Sequence, residues 1–232
     1  MTKLCNQDWF KDDRLKTVLG ILNGEGGETR IVGGAVRNAL MGQPVGDIDL
    51  ATTLVPDAVM ARAKAAGMKA IPTGIDHGTV TVVCDGKPFE TTTLRADVET
   101  FGRHATVRFG TDWAEDAARR DFTINALYAD ADGKIHDPVG GLADIETKTV
   151  RFIGEAETRI REDYLRILRF FRFFAWYGGG RPDADGLRAS VRARDGLASL
   201  SAERVWAETK KLLAARDPSR ALLWMRQTGI LT

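Results

Sequence analysis

Cysteine is nearly absent from this sequence. Cys5 and Cys84 are the only two in 232 residues, too few and too far apart for a disulfide framework or a thiolate metal site. Histidine is as scarce: His77, His104 and His136 do not stand at zinc-ligand spacing from one another or from either cysteine. No charge of one sign prevails, with 33 Lys and Arg against 32 Asp and Glu, so a global basic signature for nucleic acid is missing. Long apolar runs are missing too. The richest stretch, Leu165–Tyr177, is cut by Arg166, Arg169 and Arg172 and is too short to span a bilayer. The opening MTKLCNQDWFKDD is polar and lacks the apolar core of a signal peptide. No G-x-x-x-x-G-K-[ST] occurs, and the cluster Gly24, Gly26, Gly27 has Thr29 where a dinucleotide fingerprint needs its third glycine. These absences exclude a disulfide scaffold, a zinc module and the two commonest nucleotide fingerprints. They lead us to expect a reducing, cytoplasmic location and no membrane partner. They say nothing of oligomeric state.

What is present reads as an ordinary globular chain, 44% apolar and 28% charged. The near-zero net charge hides an asymmetry. Residues 1–150 carry 17 basic and 22 acidic side chains, and residues 151–232 carry 16 and 10. An acidic front and a basic back suggest two parts with different jobs. The front reads as mixed α/β. An amphipathic helix is expected over 7–22, with Phe10, Leu15, Val18, Leu19 and Leu22 on one side. Strands are expected at 29–32, 47–51, 68–71, 79–84 and 89–94, with helices at 35–41 and from Pro56 to about 66. Residues 96–111 show weak periodicity and read as a long loop. From Trp113 onward helices dominate, with one short strand near Val150–Phe152. Gly178-Gly179-Gly180 before Pro182 reads as a connector between helices.

The sharpest chemical signal is Gly33-Gly34-Ala35-Val36-Arg37 followed by Asp47-Ile48-Asp49. Residues two apart on a strand point to one face, roughly 6.6 Å apart along it. Two carboxylates there repel unless they share a hard cation such as Mg²⁺. Gly33 and Gly34 at a strand-to-helix turn let backbone N–H groups approach a phosphate, and Arg37 adds a bidentate donor. Triphosphate, metal and nucleophile can meet there, as metal-assisted nucleotidyl transfer requires. A D-x-D on the surface beside a turn is the plainer alternative, which the upstream Gly-Gly-x-x-Arg disfavours. A third carboxylate would help activate a hydroxyl, and Glu90 on a later strand is the candidate, against an equally simple role as a surface charge.

Two further constellations follow. In Glu115-Asp116-Ala117-Ala118-Arg119-Arg120-Asp121, Arg120 can reach a triphosphate or ribose with Asp121 orienting it, and Asn125 is read as one helical turn from Asp121, addressing the same ligand. An ion-paired structural knot is the plainer alternative. In Glu162-Asp163-Tyr164-Leu165-Arg166-Ile167-Leu168-Arg169-Phe170-Phe171-Arg172, read as one helix, Arg166, Arg169 and Arg172 form a basic stripe opposite an apolar arc. Asp163 and Arg166, one turn apart, offer acceptors and donors that can satisfy the edge of a base. A solvated charged face is the plainer alternative.

Taken together, GGAVRN, DID, TTLR, EDAARRDFTINAL, DPVGGLADI and EDYLRILRFFRF resemble, in order, the N-terminal part of class II CCA-adding enzymes. These are the tRNA nucleotidyltransferases that share a head with bacterial poly(A) polymerases. The resemblance runs from Arg30 to the end. It implies an α+β fold: a mixed-sheet nucleotidyltransferase head related to DNA polymerase beta over 1–150, then an all-helical, nucleotide-selecting neck over 151–232. Family members continue into helical body and tail domains, so the sequence is expected to lack these. The resemblance implies Mg²⁺-dependent, template-independent transfer of CMP and AMP from CTP and ATP to the tRNA 3′ end. Asp47 and Asp49 then match Mg²⁺ ligands, and Gly34 and Arg37 match phosphate contacts. Arg120 with Asp121 matches the ribose-recognising element. Asp163 and Arg166 match the amino-acid template for the base, and Arg169 and Arg172 match further nucleotide contacts.

Departures from the pattern are Asn38, where the family usually has Asp, and Phe101-Gly102-Arg103, where CCA-adding members often carry Asp-Gly-Arg. A poly(A) polymerase and a CC-adding enzyme are the alternatives within the family, the first disfavoured because Thr73–Val80 lacks a basic Gly-Arg/Lys-Arg/Lys segment. A non-catalytic RNA-binding module is the alternative of another class.

Overall fold

A computed structural model of the chain describes residues 4–101 and 104–231. Its contacts gather into two compact units. One comprises Met1–Val98, Thr106–Arg120 and Asn125–Gly141, the other Glu99–Ala105, Asp121–Ile124 and Leu142–Thr232.

The first unit is built on strands β1 (Thr29–Val32), β2 (Asp49–Thr52), β3 (Lys69–Gly74), β4 (Thr79–Cys84) and β5 (Lys87–Thr93). A separate two-stranded sheet holds β6 (Arg95–Phe101) and β7 (His104–Phe109). Two short strands, β8 (Tyr128–Ala129) and β9 (Ile135–His136), complete the main sheet in the order β3-β4-β5-β2-β1-β8-β9. All its pairs are antiparallel except β2–β5. The β4–β5 hairpin turns on Asp85-Gly86, both at positive φ, the pairing a two-residue primed turn demands. The helices are α1 (Asp13–Leu22), α2 (Gly34–Leu40), α3 (Pro56–Ala65) and α4 (Trp113–Ala118). Leu15, Val18, Leu19 and Leu22 of α1 and Val59 and Ala63 of α3 are buried with Ile31, Leu50, Val80, Val82 and Phe89 of the sheet. That packing covers one sheet face, and on β5 it takes Phe89, Thr91 and Thr93, leaving Glu90 exposed.

The second unit is helical: α5 (Gly141–Thr147), α6 (Ala156–Glu162), α7 (Leu165–Tyr177), α8 (Ala184–Arg192), α9 (Ala202–Leu213) and α10 (Ser219–Gln227). Its core is aromatic. Phe122 lies 4.8 Å from Phe152 and 4.9 Å from Phe173, and Phe152 stacks on Phe170 at 5.6 Å between ring centroids. Gly186 of α8 passes so close that a Cβ would stand 2.8 Å from the Phe170 ring.

The α+β class and the helical back half are as the sequence implied, with five differences in detail. The helix expected over 7–22 is a 3₁₀ turn at Asp8–Lys11 and then α1, because the Asp12 side chain accepts from the Arg14 N–H and starts the helix there. Of the segment read as a loop over 96–111, residues 96–101 and 104–109 lie in the β6 and β7 strands, while Gly102 and Arg103 of the Phe101-Gly102-Arg103 departure lie outside the described residues. The β2 strand begins at Asp49, so Asp47 precedes it. The strand expected near Val150–Phe152 is a single bridge, Phe152 to Phe122. The helix expected from Glu162 breaks at Asp163, which is extended at φ −157° and ψ 107° and closes α6 before α7 begins.

Candidate active site

The parallel pairing of β2 with β5 sets Asp49 opposite Glu90. In-register neighbours point to the same side of a sheet, so both carboxylates rise from the face that α1 and α3 leave open. Asp49 is reached by solvent, yet protein is dense around its carboxylate. Burial, the Glu90 charge and the Asp47 charge raise its pKa, and Arg120 opposes them. Mutual repulsion of this kind is what a bound cation relieves. Among the described residues no three His, Cys, Asp or Glu side chains gather closely enough to hold an ion. Two carboxylates suffice for Mg²⁺ when phosphate oxygens and water supply the rest. The acidic group on this face therefore fits Mg²⁺ shared with a triphosphate. The expected Asp47–Asp49 relation needs correction, since Asp47 reaches the group from the loop before β2 and not from the strand.

The β1–α2 turn lies on the neighbouring strand. Gly33 sits at φ 68° and ψ −116°, a conformation that favours glycine. Its own N–H donates to the Leu127 carbonyl at 3.0 Å, so this amide is spent within the fold. Gly34 opens α2 and is not sterically confined, as a Cβ there would meet Arg37 Nη2 at an ordinary 3.7 Å. Arg37 is buried. Its Nε and Nη2 donate to Asn38 Oδ1 at 3.1 and 2.9 Å, and its Nη1 donates to Asn125 Oδ1. Asn38, the departure from the family pattern, in turn donates to the Pro44 carbonyl at 2.9 Å, a bond an aspartate could not make.

Arg120 is oriented by a different carboxylate from the one expected. Its Nε and Nη2 donate to Asp116 Oδ2 at 3.2 and 3.0 Å, one helical turn upstream, and Nε also meets the Tyr128 hydroxyl. Asp121 instead accepts from Arg169 of α7, at 2.8 Å from Nε and 2.5 Å from Nη2. Asp121 and Asn125 are not one helical turn apart. Asp121 precedes a short 3₁₀ turn, Thr123–Asn125, and the two side chains serve Arg169 and Arg37 respectively.

In the second unit, Asp163 and the three arginines are engaged. Asp163 caps α7 by accepting from the Leu165 N–H at 3.1 Å, and its other oxygen accepts from Arg204 Nη2 at 2.7 Å. Arg166 donates to the Arg159 carbonyl at 2.6 Å and to Glu162. Arg172 donates to Glu208 at 2.5 Å, and Arg169 lies 3.7 Å from the same carboxylate. Burial would lower the Arg169 pKa, but Asp121 and Glu208 raise it above the ordinary value. The stripe is thus an ion-paired array, not a solvated face. Asp116, Tyr128, Arg204 and Glu208 were not singled out in the sequence. Only Asp116 left a signal there, its four-residue spacing from Arg120. Arg204 and Glu208 lie on α9, brought to α7 by tertiary packing alone.

Two family models match the chain: "Poly A polymerase head domain" over residues 29–151 and "Probable RNA and SrmB- binding site of polymerase A" over 183–232. The mouse protein named CCA tRNA nucleotidyltransferase 1, mitochondrial, is 46% identical over 93% of this chain and 50% of its own length. A CCA-adding enzyme of Geobacillus thermodenitrificans is 43% identical over 91% of the chain and 52% of its own. The crystal structure of the Bacillus stearothermophilus CCA-adding enzyme in complex with CTP superposes with a TM-score of 0.86 at 38% identity, covering 99% of this chain and 53% of that one. The chain spans about half the length of the curated relatives it matches. Among the described residues no helix is long and apolar enough to cross a membrane.

Proposed function

This chain belongs to the poly(A) polymerase head-domain family, and we propose that it is the catalytic and nucleotide-selecting half of a CCA-adding tRNA nucleotidyltransferase. The observation that carries the proposal is the Asp49–Glu90 pair beside the β1–α2 turn.

In this reading Asp47 and Asp49 hold Mg²⁺ with the triphosphate of CTP or ATP. Bound there, the ion supplies positive charge that neutralises the triphosphate and the charge developing at the transferred phosphorus. Gly33 and Gly34 shape the turn on which the phosphates rest. Arg37 and Arg120 donate to phosphate or ribose oxygens, and Asn125 steadies Arg37. Glu90 accepts the proton of the RNA 3′-hydroxyl as its oxygen attacks the α-phosphorus. One P–O bond forms to the RNA, one breaks to the β-phosphate oxygen, and pyrophosphate leaves. Asp163 and Arg166 select the base, Arg169 and Arg172 contact the nucleotide further, and Asp121 fixes Arg169. The partners are CTP, ATP and the tRNA 3′ end. The proposed setting is the cytoplasm; the mouse relative is named as mitochondrial.

The test is extension of end-labelled tRNA lacking its terminal CCA, with Mg²⁺, CTP and ATP, resolved to single nucleotides. Growth by three residues and no more supports the proposal. Growth by two indicates a CC-adding enzyme, and a long ladder a poly(A) polymerase. Absence of Mg²⁺-dependent CTP binding would overturn a catalytic role and leave an RNA-binding module.

A further inference from the structure

Asp116 is the most deeply buried carboxylate among the described residues, 1% exposed on α4, and its side chain bonds to Arg119, Arg120 and Tyr128. Its two oxygens do different work. Oδ1 accepts from Arg119 Nε and Nη2 at 2.8 and 2.6 Å. Oδ2 accepts from Arg120 Nε and Nη2 at 3.2 and 3.0 Å and from the Tyr128 hydroxyl at 2.8 Å. The Tyr128 oxygen also meets Arg120 Nε at 3.2 Å, closing a three-membered ring of contacts. Tyr128 is itself fully buried on β8, with the Trp113 ring edge-on at 5.2 Å.

The ring fixes the direction of one guanidinium. With Nε and Nη2 turned to Asp116, Arg120 carries Nη1 beside the β1–α2 turn, where a Cβ built on Gly33 would lie 3.8 Å from it. A guanidinium is planar, so pinning one edge aims the other. Arg120 Nη1 is thereby held beside that turn, in surroundings that screen its charge weakly.

We infer that Asp116, with Tyr128, is a positioning residue for nucleotide binding: it locks Arg120 in the orientation that receives the triphosphate. The role is indirect, since Asp116 is buried and as an anion would repel phosphate. The inference rests on the proposed function and deepens it by naming what sets the phosphate-binding arginine.

The test is CTP affinity of the whole chain with Mg²⁺, by calorimetry, in a double-mutant cycle. Asp116→Asn is expected to weaken CTP binding about tenfold, the size expected for losing a charge-assisted pair at a binding group. It should leave the weak affinity for cytidine, which has no phosphate, unchanged. In an Arg120→Ala background the same substitution should cost under about twofold, because contacts acting through one group are not additive. Tyr128→Phe removes only a hydroxyl and keeps the packing. It provides the same reading, about threefold, should Asp116→Asn fold poorly. Independent, multiplying losses from Asp116 and Arg120 would overturn the inference, as would unchanged CTP affinity in both Asp116→Asn and Tyr128→Phe. Parallel loss of cytidine and CTP affinity in folded variants would reduce Asp116 to a structural residue. A wild-type chain that binds no CTP would overturn the proposed function along with it, whereas the other failures leave that function standing.

Discussion

Asp49 of β2 and Glu90 of β5 are register partners across the parallel pairing of the main sheet. Parallel neighbours cannot be joined by a tight hairpin, so the chain makes a crossover through α3, β3 and β4 before returning. The two acidic side chains are remote in sequence and adjacent in the fold for that reason.

Their proximity predicts a conflict between stability and activity. Glu90→Gln is expected to slow nucleotide transfer by about a hundredfold or more, the range for removing a general base. Asp47→Ala and Asp49→Asn are expected to abolish Mg²⁺-dependent CTP binding. Asp49→Asn should nevertheless raise the thermal midpoint of the metal-free chain, because it removes one of several repelling charges. A lowered midpoint in Asp49→Asn, or full activity in Glu90→Gln, would contradict this account.

Asp49 and Asp116 should give pH dependences of opposite sign. The Asp49 pKa is raised, by burial first and then by Glu90 and Asp47. Its folded form holds a proton more tightly than its unfolded form, so its destabilising effect is present at neutral pH and relieved as pH falls. Asp116 is the reverse. Burial would raise its pKa, but Arg120 and Arg119 more than offset this and hold it below the ordinary value. Its stabilising effect is full above the unfolded carboxylate pKa and is lost as pH falls through the folded one. Melting of wild type, Asp49→Asn and Asp116→Asn across this range should show both variants converging on wild type in acid. One should approach from above and the other from below.

Base selection supplies a third test. Asp163→Ala and Arg166→Ala are each expected to reduce the preference for CTP over UTP or GTP by about tenfold or more, the size expected from losing a bidentate base contact. Metal affinity should stay as in wild type. Arg204→Ala should mimic part of the Asp163 defect, since Arg204 holds one of its two oxygens. Competition assays with unchanged nucleotide choice in all three would remove the template role from this pair.

The turn at Gly33 separates two neighbouring glycines. Gly33→Ala is expected to cost about 1–3 kcal/mol, the usual strain of a side chain held in such a backbone region, since Gly33 sits at φ 68° and ψ −116°. Gly34→Ala should leave stability almost unchanged, because its Cβ would make only an ordinary contact with Arg37. Urea unfolding of both variants distinguishes them, and equal losses would refute the distinction.

The sequence by itself determined which charged and glycine residues are present and most of the local structure. Gly33-Gly34 after a β-branched strand and Asp85-Gly86 between two strands are short-range signals, and a turn formed at each, whereas β2 began only at Asp49 and left Asp47 in the loop before it. The paired acids and arginines could be counted, and the family pattern named their uses. Their pairing could not be read. Asp121 and Arg120 are adjacent in the chain, yet each serves a different partner, Arg169 and Asp116, because the backbone bends at Asp121 and sends neighbouring side chains apart. Strands of two residues, such as Tyr128–Ala129, carry no periodicity and exist only because the open edge of β1 accepts them. The ions on α7 read as a solvated stripe until α9 packed against them and brought Glu208 and Arg204. Local propensity and motif spacing act over a few residues, so the sequence settled which groups are present. Crossovers and helix packing act over the whole chain, so only the tertiary structure decided which of those groups meet.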